Sequence, residues 1–440
     1  MSLLAPRPHY AAHLSTVTAR ADAALLKGGF DHLLIASGIE KMRFLDDMPY
    51  PFKVNPQFKG WLPLTRNPNC WIAYSPGRKP VLAYYQPDDY WHVPPSAPEG
   101  EWVEHFDIRV LDAPEQAAQH LPTSGRLAIL GEADAALPGL VPNNPQPVLD
   151  YLHFQRAFKT PYELALMRLA QRKGARGHLA AHRAFLARGS EAQINAAFLA
   201  AAGHTDSDVP YNNIVALNQN GATLHYQYKA FETPSEHRSL LIDAGAEVDG
   251  YASDITRTWG NGDAEFADLV SAVEHEQLAL AGNVRAGTDY RDLHLECHLR
   301  LGSALKALEI VDMDPGSMLE TGVTSTFFPH GLGHPIGLQV HDVAGFSDID
   351  GQLIPRPAGH PHLRMTRSLA PGMVVTIEPG IYFIPTLLAK LKAGPQGKAV
   401  DWKKIEHLAR FGGVRIEDEV HCTNGAPENL TRDAFAEISR

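Results

Sequence analysis

Over about the first 155 residues, short apolar runs alternate with polar segments rich in proline and glycine. HLLIASG (32–38) and RLAILGEAD (126–134) each carry an apolar stretch of strand length, which predicts buried strands. NCWIAYSPGRKPVLAYY (69–85) holds two such runs around Pro76-Gly77, the pattern of a hairpin. His13 to Lys27 mixes polar and apolar positions as a helix does. The aromatic, proline-rich DDMPYPFKVNPQFKGWLPL (46–64) predicts an ordered loop. Together these elements predict an α/β domain.

The pattern changes at Thr160-Pro161-Tyr162-Glu163, a capping box with proline at the first helical position. A helical pattern then runs to about Leu186, and Gly189-Ser190 opens the next helix. The domain boundary is therefore expected just before Thr160, with one domain over 1–158 and another over 159–440. Further helices are predicted over 264–284 and 289–307, with strands alternating over 212–259 and 373–423.

Composition narrows the class of protein. With 440 residues, 44% hydrophobic and 20% charged, the chain reads as globular and multidomain. A net charge of −11 argues against a nucleic-acid partner. No run of about 18 apolar residues predicts a membrane span. Prolines and histidines interrupt MSLLAPRPHYAAHLSTVTAR, so no secretory h-region is expected there. Cys70, Cys297 and Cys422 are scattered and odd in number, as free thiols of a cytoplasmic protein would be.

The candidate chemistry begins in SLLIDAGAEVDGYASDITRTW (239–259), a strand, a turn and a strand. Asp249-Gly250 is a two-residue hairpin turn. Pairing symmetrically about that turn sets Asp254 opposite Gly245, with Asp243 two residues along on the same face. Two converging carboxylates repel unless a proton or cation separates them. The alternative is an exposed hairpin face carrying solvated aspartates. Two more acids sit in apolar runs. Glu378 ends the β-rich MVVTIE before Pro379-Gly380. Glu417 alternates with Val414, Ile416 and Val420 in GGVRIEDEVHC (412–422), which reads as one strand. Taken singly, Glu417 suits a surface strand face and Glu378 a salt bridge.

HGLGHPIGLQVHD (330–342) places His330, His334 and His341 among glycines and a proline. This is not a helical metal motif, because glycine disfavours a helix and instead lets the backbone turn and approach a site closely. One histidine can ligate a metal and the others can donate to a substrate; otherwise all three are surface loop residues. Two aspartates, two glutamates and a histidine form an oxygen-rich set suited to a pair of divalent cations, manganese or cobalt first, with zinc as an alternative. Such a pair activates water and stabilises the intermediate of hydrolysis.

In this order, IDAGA…GYASDITRT, HGLGHPIG, TIEPGIYF and VRIEDEV resemble the five-ligand signature of the pita-bread metallopeptidases. FLDDMPYPFKVNPQFKGWLPL, YYQPDDYWH and LHYQY resemble the bacterial Xaa-Pro dipeptidase (prolidase) branch, which is close to the organophosphorus acid anhydrolases. The resemblance covers nearly the whole chain. It implies an α/β creatinase-like N-terminal domain, an α+β pita-bread catalytic domain and a homodimer. It implies Asp243 on one metal, Asp254 and Glu417 on both, and His334 and Glu378 on the other, with Glu378 also the general base. It implies His225 and His341 at the scissile carbonyl, His330, Tyr211 and Tyr290 in the pocket wall, and Arg415 orienting Glu417. Pro335 departs from the bulkier or polar residue that many relatives carry after the ligand histidine.

The implied reaction is hydrolysis of an Xaa-Pro dipeptide, whose scissile tertiary amide has no N–H. A dipeptidase also needs anchors for both substrate termini. Arg364 and Arg367 in HLRMTR are candidates for the carboxylate, or else surface loop arginines. Asp46 or Asp47 in the N-terminal loop, reaching across the dimer, is a candidate for the ammonium, Trp91 for a pocket cover, and the Pro/Gly-rich 345–367 for a lid. Organophosphorus triester hydrolysis would be a side activity. The alternatives are an aminopeptidase P acting on longer peptides and a metal-free binding module.

Overall fold

The computed structural model describes residues 9–439. The chain divides into two compact units. One takes in the residues up to Leu166, with Asp249–Tyr251 and Ser347–Gln352, and the other holds the remainder.

In the first unit α1 (Tyr10–Gly28) leads into β1 (His32–Ala36), and the short α2 (Pro56–Lys59) follows. Next come β2 (Trp71–Tyr74), β3 (Val81–Tyr85), β4 (Asp107–Leu111), β5 (Leu127–Leu130) and α3 (Gln146–Arg156). The sheet runs β4-β3-β2-β1-β5, parallel at its two outer pairs and antiparallel between them. Leu34, Ala36, Trp71, Ala73, Ala83 and Ile129 share one core cluster. Segment 46–64 is more than a loop. The Asn55 side chain accepts the Gln57 N–H at 3.0 Å and starts α2, which buries Phe58.

The capping box forms as expected. Thr160 N–H donates to Glu163 Oε2 at 2.7 Å, and Glu163 N–H to Thr160 Oγ1 at 3.4 Å, which starts α4 (Pro161–Leu186). Ser190 and Gln193 cap α5 (Glu191–Ala202) in the same way. Then β6 (Ile214–Leu217), β7 (Ser239–Asp243), the short β8 (Glu247–Val248) and β9 (Tyr251–Ala252), and β10 (Thr256–Gly260) follow. β10, β7 and β6 form an antiparallel sheet with two distinct faces. Val215, Leu217, Leu240 and Ile242 pack on Phe185, Ile194 and Phe198 of α4 and α5. Ile214, Ala216 and Leu241 pack on Tyr382. Asp243 lies two residues past Leu241 and so shares this second face.

Four helices follow: α6 (Ala264–Gly282), α7 (Tyr290–Ala307), α8 (Pro315–Glu320) and α9 (Val323–Phe327). β11 (Val374–Ile377) and β12 (Gly380–Tyr382) precede α10 (Pro385–Ala393) and α11 (Trp402–Leu408). β13 (Gly413–Arg415), β14 (Asp418–His421), β15 (Glu428–Asn429) and α12 (Leu430–Ile438) end the chain's described part. The sequence predicts one strand over 412–422, but the structure breaks it at Ile416-Glu417. β13 pairs with β12 and β14 with β11, on either side of Pro379, which has no N–H to donate to a ladder. Among the described residues no helix is long and apolar enough to cross a membrane.

Candidate metal centre

The hairpin keeps the register that its turn dictates. Asp243 pairs with Thr256 and Leu241 with Thr258. Ala244 N–H donates to Ile255 O at 3.1 Å and Ser253 N–H to Ala246 O at 2.7 Å, carrying the same register towards the turn. Asp249 and Gly250 have φ of 51° and 90°, the left-handed pair a tight hairpin needs. Asp254 therefore faces Gly245. A Cβ on Gly245 would lie 2.0 Å from Ser253 O and 2.7 Å from Tyr211 Cε1, so this position has no room for a side chain.

Four carboxyls and one imidazole converge over that gap. Asp254, His334 and Glu417 bring donor atoms within 4.8 Å of one another. His334 Nε2 lies 3.5 Å from both Asp254 Oδ2 and Glu378 Oε1. The glycines around His334 are structural: a Cβ on Gly333 would lie 2.1 Å from Thr376 O. That close approach lets His334 N–H donate to Thr376 Oγ1 at 3.0 Å and Thr376 N–H to His334 O at 2.9 Å. His334 Nδ1 lies 3.1 Å from Pro335 O. Donation to that carbonyl leaves Nε2 as a bare lone pair aimed at the carboxylates, a common arrangement for a metal-ligating histidine.

Each acid is held by a neighbour. The Tyr211 hydroxyl donates to Asp254 Oδ1 at 2.6 Å, and the Thr256 hydroxyl to Glu417 Oε2 at 2.7 Å. Arg415 was expected to orient Glu417, but its Nη2 donates to Asp243 Oδ2 at 2.7 Å. Its Nε reaches Thr256 Oγ1 at 3.1 Å, so it meets Glu417 only through that hydroxyl. The reason lies in the register, which puts Thr256 between Arg415 and Glu417 and directly opposite Asp243. Arg415 Nη1 also donates to the Tyr382 hydroxyl at 2.9 Å, which in turn donates to His330 Nε2 at 2.9 Å. His330 must then carry its proton on Nδ1, 2.8 Å from Gly331 O.

The electrostatics fit a cationic occupant. Burial and the charge of Asp254 push Asp243 up to about 6. Burial and neighbouring carboxylates push Glu378 to about 7 and Glu417 well above the usual carboxylate range. All four acids can ionise together only if positive charge joins them, and two divalent ions supply the matching amount. Asp243 Oδ1 is buried with no hydrogen-bond partner, an acceptor that such an ion would satisfy. The residues present therefore fit a divalent pair.

These groups line a cavity of about 860 Å³ that also takes in His225, His341, Arg356, His362 and Arg364. The His341 ring stands edge-on to His334, 4.5 Å between centroids. Arg364 is exposed, and no ion-pair partner for it stands among the described residues.

Comparison with known proteins decides the family. Residues 165–424 match the model described as metallopeptidase family M24, and residues 8–154 match that of the Xaa-Pro dipeptidase N-terminal domain. The chain belongs to metallopeptidase family M24. Its relatives include the Xaa-Pro dipeptidase of Xanthomonas euvesicatoria, 56% identical over 97% of this chain and 98% of that one. That of Stenotrophomonas maltophilia is 52% identical over 98% of each. Among solved structures, E. coli aminopeptidase P with the inhibitor Pro-Leu matches at a TM-score of 0.72 and 25% identity, over 97% of this chain and 98% of that one. The fold is thus an α/β N-terminal domain followed by an α+β pita-bread domain.

Two expected pocket residues of this M24 metallopeptidase, Tyr290 and Arg367, have other roles. Tyr290 is fully buried, and its hydroxyl donates to Thr376 O at 2.7 Å, so it supports the His334 backbone and does not form a wall. Arg367 is buried and donates to Ala344 O at 2.9 Å, which makes it a structural residue. Asp46 and Trp91 belong to the first unit and are exposed, and Asp46 caps its own turn through Met48 N–H at 3.2 Å. Asp47 is likewise exposed. Thr256, Thr376 and Tyr382 were missed, although Thr256 follows from the register once Asp243 is singled out. Arg356 and His362 come from irregular chain and carry no periodic signal.

Proposed function

We propose that the chain is an Xaa-Pro dipeptidase that uses two divalent cations, manganese being favoured over cobalt or zinc by the oxygen-rich donors. The observation that carries the reading is the convergence of Asp243, Asp254, His334, Glu378 and Glu417 at a cavity that also holds Arg364, which has no ion-pair partner among the described residues. Relatives named Xaa-Pro dipeptidase at 52–56% identity support the substrate class.

The five residues would hold the cations, which when bound would polarise the scissile carbonyl and make water a stronger nucleophile. Glu378 takes the proton from water and returns it to the leaving prolyl nitrogen. Burial suits it to both steps by lifting its carboxyl to about 7. His225 and His341 donate to the developing oxyanion. Arg364 receives the substrate carboxylate, and Tyr211 and Arg415 keep Asp254 and Asp243 in place. Since the tertiary amide has no N–H, none of these roles requires one.

The reading extends to a boundary near residue 159, in keeping with family matches that end at 154 and resume at 165. It also extends to a homodimer in the cytoplasm, in keeping with three buried free cysteines, and to slow organophosphorus triester hydrolysis. The test is proline release after chelation and manganese addition. Xaa-Pro should be cleaved and Xaa-Pro-Yaa spared. Equal turnover of the tripeptide would make the enzyme an aminopeptidase P, the activity named for the E. coli structure. Full activity in chelated protein would remove the cations from the mechanism.

A further inference from the structure

Three histidines outside the carboxylate centre face one another. His294 and His298 stand one turn apart on α7, on one face of the helix, and His360 meets them from irregular chain. His294 Nε2 lies 2.9 Å from His360 Nδ1. The ring centroids are 4.7–4.8 Å apart, and one nitrogen of each residue lies within 4.8 Å of the others. His294 and His298 are buried and His360 is half-buried. The Thr324 hydroxyl engages His298 Nδ1 at 2.9 Å, and Nε2 of that ring is buried with no partner.

We propose that His294, His298 and His360 form a second cation site, all-nitrogen and of the zinc class. Neutral imidazoles are zinc ligands, and three of them with one open position make a tetrahedral site. Burial, with the neighbouring imidazoles, pushes His294 down to about 2 and His298 to about 3, so both are neutral near pH 7. Two nitrogens on one tetrahedral zinc stand roughly 3.3 Å apart, close to the spacing already present between His294 and His360. On binding, the proton shared by those two rings moves to the outer nitrogen of its own ring, and no other co-reactant is needed. The three histidines line a cavity of about 200 Å³ together with Ser325, Phe328 and His362, which leaves room for a fourth ligand. Nothing in this argument depends on the peptidase reading.

Donor chemistry makes the site testable. The carboxylate centre accepts Mn2+ or Zn2+, whereas three imidazoles select Zn2+. Full-length protein stripped with chelator is dialysed against Mn2+ alone or Zn2+ alone, and bound metal per chain is measured. Wild type should take up one more Zn2+ than Mn2+. His298→Asn, and separately the half-buried His360→Asn in case the first does not fold, should lose the extra Zn2+ and keep the Mn2+ uptake. Asp254→Asn should lose ions from the carboxylate centre and keep this Zn2+, which separates failure of either site from failure of the other. Equal uptake of the two metals by wild type, or an extra Zn2+ that survives both histidine substitutions, overturns the proposal.

Discussion

Arg415 Nη2 donates to Asp243 Oδ2 at 2.7 Å while Oδ1 of the same carboxylate is buried without a partner. One oxygen is fixed by a guanidinium and the other is left for a cation, so the arginine sets the angle of the ligand. Lysine keeps the charge but cannot also span Tyr382 and Thr256, which Arg415 reaches at 2.9 and 3.1 Å. Arg415→Lys should therefore lower cation affinity and kcat about 10–100-fold with little change in KM. Isothermal titration with Mn2+ and steady-state kinetics check this. Wild-type affinity in the variant would mean that Asp243 needs no such support.

Gly245 is the empty place that lets Asp254 and Tyr211 approach. A methyl group there would press on Ser253 O and Tyr211 Cε1, at 2.0 and 2.7 Å, and neither can move without shifting Asp254. Gly245→Ala should cost about 1–3 kcal/mol and weaken metal retention together. Gly282→Ala, at the end of α6 with nothing within 4 Å of the added carbon, is the control. It should be neutral or raise Tm slightly. Thermal melts with metal analysis on both variants decide the matter.

How far the site could be read in the sequence follows from how local each constraint is. The hairpin was legible because two turn residues set every pairing up to Asp243 and Thr256. The capping box at Thr160 and the helices after it were legible for the same reason. The break at Ile416-Glu417 was not, because it depends on Pro379, far away in the chain between β11 and β12. Tyr290 and Arg367 were misplaced for a related reason. A tyrosine or arginine near a site in sequence looks the same whether it faces the cavity or supports the backbone behind it. Arg356 and His362 had no periodicity to reveal them.

Arg364 stands in the cavity wall, exposed and without an ion-pair partner among the described residues. If it receives the substrate carboxylate, Arg364→Ala should raise KM for Xaa-Pro about 10-fold or more, since charge-assisted pairs contribute on the order of 1.5–3 kcal/mol. The same variant should leave KM unchanged for the amidated Xaa-Pro-NH2, which has no carboxylate to bind. Equal effects on the two substrates would remove Arg364 as the carboxylate anchor.

The last prediction concerns stability against pH. Glu428 on β15 accepts from Arg168 of α4 through both carboxylate oxygens, at 2.7 and 2.8 Å, and lies 3.0 Å from His421 Nδ1. The hydrogen bond with His421, then those with Arg168, hold its carboxyl at about 2, below the ordinary 4.5. A carboxyl depressed in the folded state stabilises the fold wherever it is ionised in both states, so the contribution is complete above about 4.5. As pH falls from there towards 2, the unfolded chain takes up a proton before the folded one does, and the contribution is lost. The pair is partly exposed, with 39% of the Arg168 side chain and 27% of the Glu428 side chain accessible. Solvent screening therefore reduces its worth to on the order of 1–2 kcal/mol. Glu428→Gln should lower Tm at pH 7, and the gap to wild type should narrow as the melts are repeated between pH 4.5 and pH 2. A gap that stayed constant through that window would mean that packing around β15, and not the charge on Glu428, joins this strand to α4.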